Sequence, residues 1–322
     1  MDRRPSRRAT LWLLVVTMIW GASFLWTEEA MDAAADLATR RGLAAGALTT
    51  LAATAFVGGR FALAWGVLTV ASCVPRLRAP ADGALRRAAV LYSLAILSGF
   101  LLQTFALGEL DAAVSAFLTS AYVSLTALLT ALIHRRLPRR GTLAGIALAT
   151  FGAGFIDGPP QVSFGLAEWL TLLSALIFAG GILLTDHLTR RHDPVALTRV
   201  SMGFVTFGAG AVLAVLWRGA APEQTAALLA LWGELAFWRP LLLNALLANV
   251  AALLLINLYQ RELDPVRAAI LYSLEPVWTA VWVLAFVDTT PSPWLWVGGG
   301  TLLAGNLVAE LSPRRRQSSS SR

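Results

Sequence analysis

Long apolar runs separated by short polar loops recur along the whole chain. They fall at roughly 10–27, 51–74, 88–107, 112–133, 141–157, 165–186, 195–217, 240–260, 265–287 and 293–310. Each approaches the roughly 20 residues that carry a helix across a bilayer. A single run of this kind also fits a buried helix of a soluble protein, but ten in series leave little chain to surround a soluble core. The pattern predicts an all-α integral membrane protein with ten transmembrane helices. Two further stretches are less regular. PEQTAALLALWGELAFW, 222–238, is short and interrupted by Glu223 and Glu234. It reads as an interfacial amphipathic helix with Trp232 and Trp238 at headgroup level. Residues 31–50 read as a similar excursion outside the membrane.

Composition agrees. The 322 residues are 57% hydrophobic and 14% charged, where a soluble chain carries about a quarter charged residues. The basic residues are all arginine, and they segregate. The N-terminus, the loops at 75–87, 134–140, 187–194 and 261–267, and the tail hold 20 of them. The opposite loops hold four: Arg40, Arg41, Arg218 and Arg239. Positive charge stays in the cytoplasm, so both termini are expected there, in an inner-membrane protein whose first helix is retained rather than cleaved. The net charge of +7 sits in short loops as membrane orientation requires, and nucleic acid is not an expected partner. Cys73 reads as a packing residue. His134, His187 and His192 lack metal-ligand spacing, so no metal or cofactor is expected. Residues 1–9 form a cytoplasmic arm, and 311–322, rich in Arg and Ser, a disordered basic tail.

The chain also repeats. GELDAAVSAFLTSAYV and RELDPVRAAILYSLEPV align with Asp111 on Asp264, 153 residues apart. The same interval takes Glu109 to Glu262, Pro138 to Pro291, Gly145 to Gly298 and Gly152 to Gly305. The chain therefore divides into two five-helix repeats, 10–157 and 165–310. Five is odd, so the second repeat must be inverted. The charges agree: HRRLPRR at 134–140 has four arginines and its partner VDTTPSP at 287–293 has none. Inverted repeats build many secondary transporters.

With WGASF at 20–24, GRFALA at 59–64, LEPVWTA at 274–280 and the glycines of the fifth and tenth spans, the chain resembles the drug/metabolite transporter superfamily, specifically its ten-helix members with two EamA domains. The resemblance covers nearly all of 10–310. One departure stands out. First halves of the family often have a proline in the fourth span, but SAYVSLTALL has none, and Val123 aligns with Pro276. A hinge at that position is therefore expected only in the second half.

The candidate residues are polar groups at mid-span. Glu275 lies near the middle of the ninth run, where a charge costs roughly 2.5–3.5 kcal/mol on insertion scales. Pro276 removes the donor that would bond the Tyr272 carbonyl. Together they read as a site for a proton or a polar or cationic group; the structural alternative is a kink whose acid is satisfied by protein donors. Arg60, mid-way in the second run, is the natural counter-ion for Glu275. It reads as a lock, a gate or a contact for an anionic group. Trp20, Trp278 and Tyr122 are aromatic candidates for a cavity wall, and Trp278 and Trp282 share a helix face with Glu275. Gln103 and Asn249 are candidate pathway residues, as are Asn244 and Asn257. Gly145, Gly152, Gly298 and Gly305 read as helix-packing positions, two turns apart in each pair, and as a contact between the fifth and tenth spans.

The expected function is a secondary transporter or exporter of small polar metabolites, powered by proton exchange or by the cargo's own gradient, as monomer or homodimer in the lipid bilayer. The resemblance implies amino acids or related amines as cargo. No nucleotide-binding GxxxxGK[ST] occurs, so the chain carries no ATP engine of its own. An enzyme is not expected, since neither a nucleophile–base set nor paired acids lie within the runs. A non-transporting membrane sensor or scaffold is the alternative.

Overall fold

The computed structural model describes residues 7–74, 81–133, 135, 140–153, 164–263, 268, 271–287 and 292–311. All its regular structure is helical. The helices are α1 (Arg7–Arg40), α2 (Thr49–Ala71), α3 (Gly83–Ala106), α4 (Ala112–Thr119), α5 (Tyr122–Ile133), α6 (Arg140–Ala153), α7 (Leu166–Thr189) and α8 (Pro194–Gly219), then α9 (Pro222–Leu231), α10 (Leu235–Leu243), α11 (Leu253–Tyr259), α12 (Glu275–Phe286) and α13 (Pro293–Leu311). A π-helix, Asn244–Ala252, joins α10 to α11. Among the described residues, seven helical stretches are long and apolar enough to cross a membrane. The first part of the ninth run and the end of the fifth lie partly outside the described residues, as does the basic tail.

Local chemistry starts these helices where it should. Asp82 accepts from Leu85 N at 2.7 Å to cap α3. Asp193 accepts from Ala196 N at 2.8 Å, and Pro194 occupies the first turn of α8. Both are standard ways to satisfy free N–H groups at a helix start.

The polarity is inverted relative to a soluble fold. Leu91, Phe151, Phe207, Val215, Leu235 and Phe286 are each more than half exposed. Ser93, Asn244, Asn257 and Asn306 are buried. Apolar side chains that face outward suit lipid, and buried amides and hydroxyls hold the helices to one another.

Two stretches fold differently from expectation. Residues 31–50 do not form a separate excursion up to Arg40: α1 continues unbroken through them, 34 residues in all, about 51 Å at 1.5 Å per residue. Ala30, Met31, Ala34, Leu37 and Ala38 give that extension an apolar face, which packs on Leu228, Leu231, Phe237 and Leu241. Arg40 pairs with Glu234 at 3.1 Å, and Arg239 pairs with Glu29. The stretch 222–238 contains α9, only 10 residues long and about 15 Å, too short to cross. Gln224 secures it, accepting from Ala221 N at 2.9 Å and donating to Ala47 O at 3.0 Å.

The second difference concerns the fourth run. It is broken at Ser120 and Ala121 without a proline. The ninth run is broken at Ser273 and Leu274, which are 153 residues further on. Thus the chain is broken at both places, with and without a proline. In the first, Ser120 Oγ donates to Phe117 O at 2.7 Å, and Asn306 Nδ2 donates to Ser120 O at 2.9 Å. Backbone N–H groups reach the same two carbonyls from three residues on rather than four, and side chains inserted into the helical ladder in this way are a recognised cause of kinking.

Candidate functional site: a cavity at two helix breaks

The two breaks face each other across the protein interior. At their meeting point Tyr122, first residue of α5, donates its hydroxyl toward Glu275 Oε2 at 2.8 Å. The same hydroxyl lies 3.0 Å from the carbonyl oxygen of Tyr272. Pro276 has no N–H for that carbonyl, and Tyr122 supplies a donor in its place. Glu275 is 5% exposed, Tyr272 1% and Tyr122 3%.

All three border a cavity of about 90 Å³. At roughly 10–15 Å³ per water on this measure, it has room for several waters or a small polar molecule. Trp20, Phe100 and Phe178 contribute aromatic wall, and Gln103, Thr119 and Gln260 contribute polar wall. Gln103 Nε2 donates to Thr119 Oγ1 at 3.3 Å. Tyr272 Oη donates to Gln260 Oε1 at 2.9 Å, and Gln260 Nε2 donates to Ile182 O at 3.0 Å. Tyr92 lines another part of the cavity. It donates to Asn257 Oδ1 at 3.3 Å and accepts from Thr185 Oγ1 at 3.2 Å, while Asn257 Nδ2 donates to Thr198 Oγ1 at 2.7 Å. The site is therefore a carboxylate and a helix-free carbonyl in a mostly apolar, partly aromatic cavity. Such an arrangement can hold a proton, or hydrogen-bond donors that carry positive charge.

The candidates divide. Glu275, Tyr272, Tyr122, Trp20 and Gln103 line the cavity. Pro276 is buried behind it and acts through the carbonyl that it leaves free. Trp278 and Trp282 turn away: Trp278 Cβ packs toward Gly21, and Trp282 Nε1 donates to Met18 O at 3.1 Å. Sharing a helix face with Glu275 directed them against α1 rather than around the carboxylate. Asn249 is buried in the π-helix and does not line the cavity. Phe100, Phe178, Thr185 and Gln260 also line it without having been singled out. Gln260, a polar residue at the end of an apolar run, was the one with a visible signal.

Arg60 does not pair with Glu275. Its Nη1 donates to Asn244 Oδ1 at 3.0 Å, and its guanidinium centre lies 4.2 Å from the centroid of Phe100. Phe61 and Phe56 are at 5.5 and 5.7 Å. Phe100 also lines the cavity, whereas Arg60 is not among its lining residues. A buried ion pair needs very good geometry to break even; here ring faces and one amide hold the cation instead. Asn244 begins the π-helix, and such wide turns are frequent at functional sites.

The fifth and tenth runs cross closely. A Cβ on Gly152 would collide with the backbone of Leu302 and reach 2.7 Å from Gly298 O. A Cβ on Gly305 would collide with the backbone of Ala149 and reach 2.6 Å from Gly145 O. The two contacts mirror each other, since Leu302 is 153 residues beyond Ala149.

Residues 165–310 match the EamA-like transporter family. That match covers a little under half of the chain and makes it similar to membrane transporters of this kind. An uncharacterized transporter from Archaeoglobus fulgidus is 26% identical over 213 residues, 66% of this chain. The match spans 65% of that relative's length, just under two thirds. A solved crystal structure superposes with a TM-score of 0.61 at 17% identity, covering 97% of this chain and 99% of the other. At that identity it bears on the fold alone. The chain is a multi-pass, all-helical membrane protein with an EamA-like region. Its WGASF stretch has a physical reason in this site. Trp20 walls the cavity and donates from Nε1 to Ala248 O at 3.4 Å. Gly21 lets α12 approach: a Cβ there would lie 2.7 Å from Trp278 Cβ and 2.9 Å from Glu275 O.

Proposed function

We propose that the chain is a secondary transporter that exports small polar metabolites across the inner membrane, with both termini in the cytoplasm. One observation carries this reading: a buried carboxylate and a helix-free carbonyl, Glu275 and Tyr272, border a cavity where two broken helices meet. Charged residues inside a membrane protein are costly and mark ion or substrate pathways. Amino acids and related amines fit the cavity's size and chemistry and are the cargo that the resemblance to drug/metabolite transporters favours. Coupling to protons through Glu275 then powers export: the acid is protonated in one facing state and ionised, or bound to cargo, in the other.

The inverted-repeat reading supports alternation between two facing states. Tyr122 and Glu275, which hydrogen-bond, are 153 residues apart. The breaks at 120–121 and 273–274 share that interval, as do the mirrored glycine contacts. Residues related by an inverted repeat meet at its axis, where a site shared by both facing states belongs.

The test is efflux from proteoliposomes loaded with a mixed pool of amino acids and amines, for wild type and Glu275→Gln at two external pH values. Selective loss of a few compounds, with a pH dependence that Glu275→Gln removes, is the expected result. No selective loss from well-folded wild type sinks the transport reading. Selective loss with an unchanged pH dependence in Glu275→Gln sinks the coupling role alone.

A further inference from the structure

The Tyr122 hydroxyl stands between two acceptors, 2.8 Å from Glu275 Oε2 and 3.0 Å from Tyr272 O. A phenol has one proton to donate, so it serves one acceptor at a time. When Glu275 carries a proton, that proton bonds the Tyr122 oxygen, and Tyr122 donates onward to the Tyr272 carbonyl. All three groups then have partners. When Glu275 is ionised it has no proton to give. A charge-assisted bond is about twice as strong as a neutral one, so Tyr122 turns to the carboxylate and the Tyr272 carbonyl loses its donor. The helix cannot replace it, because the residue four positions on is Pro276. A buried carbonyl without a donor costs about 1–3 kcal/mol.

We propose that Tyr122 is a hydrogen-bond switch that creates a site for a primary ammonium group only after the proton has left Glu275. The site consists of the Glu275 carboxylate and the released Tyr272 carbonyl. An ammonium brings three donors, enough for both acceptors, and Trp20, Phe100 and Phe178 offer ring surface to its alkyl part. A quaternary ammonium has no N–H and cannot satisfy the carbonyl. One proton leaves as one cation enters, so the charge of the site is conserved. This inference rests on the assignment of Glu275 to coupling and adds what reads its proton and which cation replaces it.

Other titratable groups do not intervene. The elements packed on α12 are chiefly α1 and α4, with Tyr122 from α5. On α1, Arg7 and Arg8 lie toward one end; Glu28, Glu29, Asp32, Asp36 and Arg40 lie toward the other. Gly21 is the point of contact with α12, and Glu28 is seven residues, about 10 Å, further along, where it accepts from Ala112 N at 3.0 Å. Helix α4 has no charged residue, and Asp111 precedes it. Among the described residues, Tyr92, Tyr122 and Tyr272 are the titratable groups that share the cavity with Glu275.

The experiment is infrared difference spectroscopy of the full chain in liposomes, titrated with pH and labelled with tyrosine carrying ¹³C at the carbonyl. The chain has four tyrosines. The Tyr272 band is assigned by its loss in Tyr272→Phe, and the Glu275 carboxyl band by its loss in Glu275→Gln. In wild type the two bands are expected to change together over one pH interval. Excess propylammonium on the alkaline side is expected to reverse the Tyr272 shift, and tetramethylammonium to leave it. In Tyr122→Phe the carboxyl still titrates and the Tyr272 band stays fixed. A Tyr272 band that ignores pH in wild type, that still follows pH in Tyr122→Phe, or that does not respond to propylammonium overturns the proposal. The wild-type arm needs no variant to fold. Selective, Glu275-dependent efflux alongside a fixed Tyr272 band would defeat this inference and leave the transport reading standing.

Discussion

The breaks at Ser120–Ala121 and Ser273–Leu274 lie 153 residues apart, but only the second is followed by a proline. In the second, Pro276 removes a backbone donor, and Tyr122 from the opposite break meets the freed Tyr272 carbonyl. In the first, every residue has its N–H. There Phe117 O and Ser120 O each keep a backbone donor three residues on, and Ser120 Oγ and Asn306, the latter from α13, each add a second. Asn306 is itself held by Ser124 Oγ, which donates to its Oδ1 at 2.7 Å. One break is written into the covalent chain; the other depends on a neighbouring helix. A hinge expected from proline alone therefore marks half of the pair.

This contrast can be broken at the neighbour. Asn306 follows Gly305, which lies against the backbone of Ala149 and Gly145. Gly305→Leu is expected to force α6 and α13 apart, withdraw Asn306 from Ser120, and abolish stable folding; yield and monodispersity after detergent extraction measure this. A milder cut is Leu128→Pro, inside unbroken α5. It is expected to cost about 3 kcal/mol, the usual effect of proline within a helix, seen as a lower thermal midpoint. Asn306→Ala leaves helix packing intact but removes one of the two donors to Ser120 O, the other being Val123 N–H. It should cost about 1–2 kcal/mol, between values for soluble and membrane hydrogen bonds. The smallest effect belongs to Val123→Pro, which puts the missing proline at the repeat-mate of Pro276. Val123 is in the first turn of α5, where proline is tolerated. Its N–H donates to Ser120 O at 3.0 Å, but Asn306 also serves that oxygen. The expected loss is under about 1 kcal/mol, far less than for Leu128→Pro. Equal losses at the two positions would show that the first break is not a true helix start.

Much of the architecture was legible before any coordinates. Runs of about 20 apolar residues announce helices because a bilayer gives unpaired backbone groups no water to bond. Glu275 and Pro276 stood out because an acid and a missing donor are both expensive at that depth. The extension of α1 past residue 27 was less visible. Its acids resemble a loop, and its alanines reveal their role only against α9 and α10. Trp278 shows the limit of helical spacing: sharing a face with Glu275 does not say which neighbour the face meets. Phe100 and Phe178 look like any other apolar residue of a span.

The sequence by itself determined that the chain crosses a membrane many times and that an acid lies mid-span beside a carbonyl without its helix donor. Those features follow from the cost of burying charge and unpaired backbone in hydrocarbon, which is paid residue by residue. Only the tertiary structure decided that Tyr122 would be the donor, that Arg60 would settle on Asn244 and the ring of Phe100 rather than on Glu275, and that a proline-free helix would break opposite its partner. Those outcomes depend on which side chains arrive within 3 Å of one another, and that is fixed by how helices distant in the chain cross.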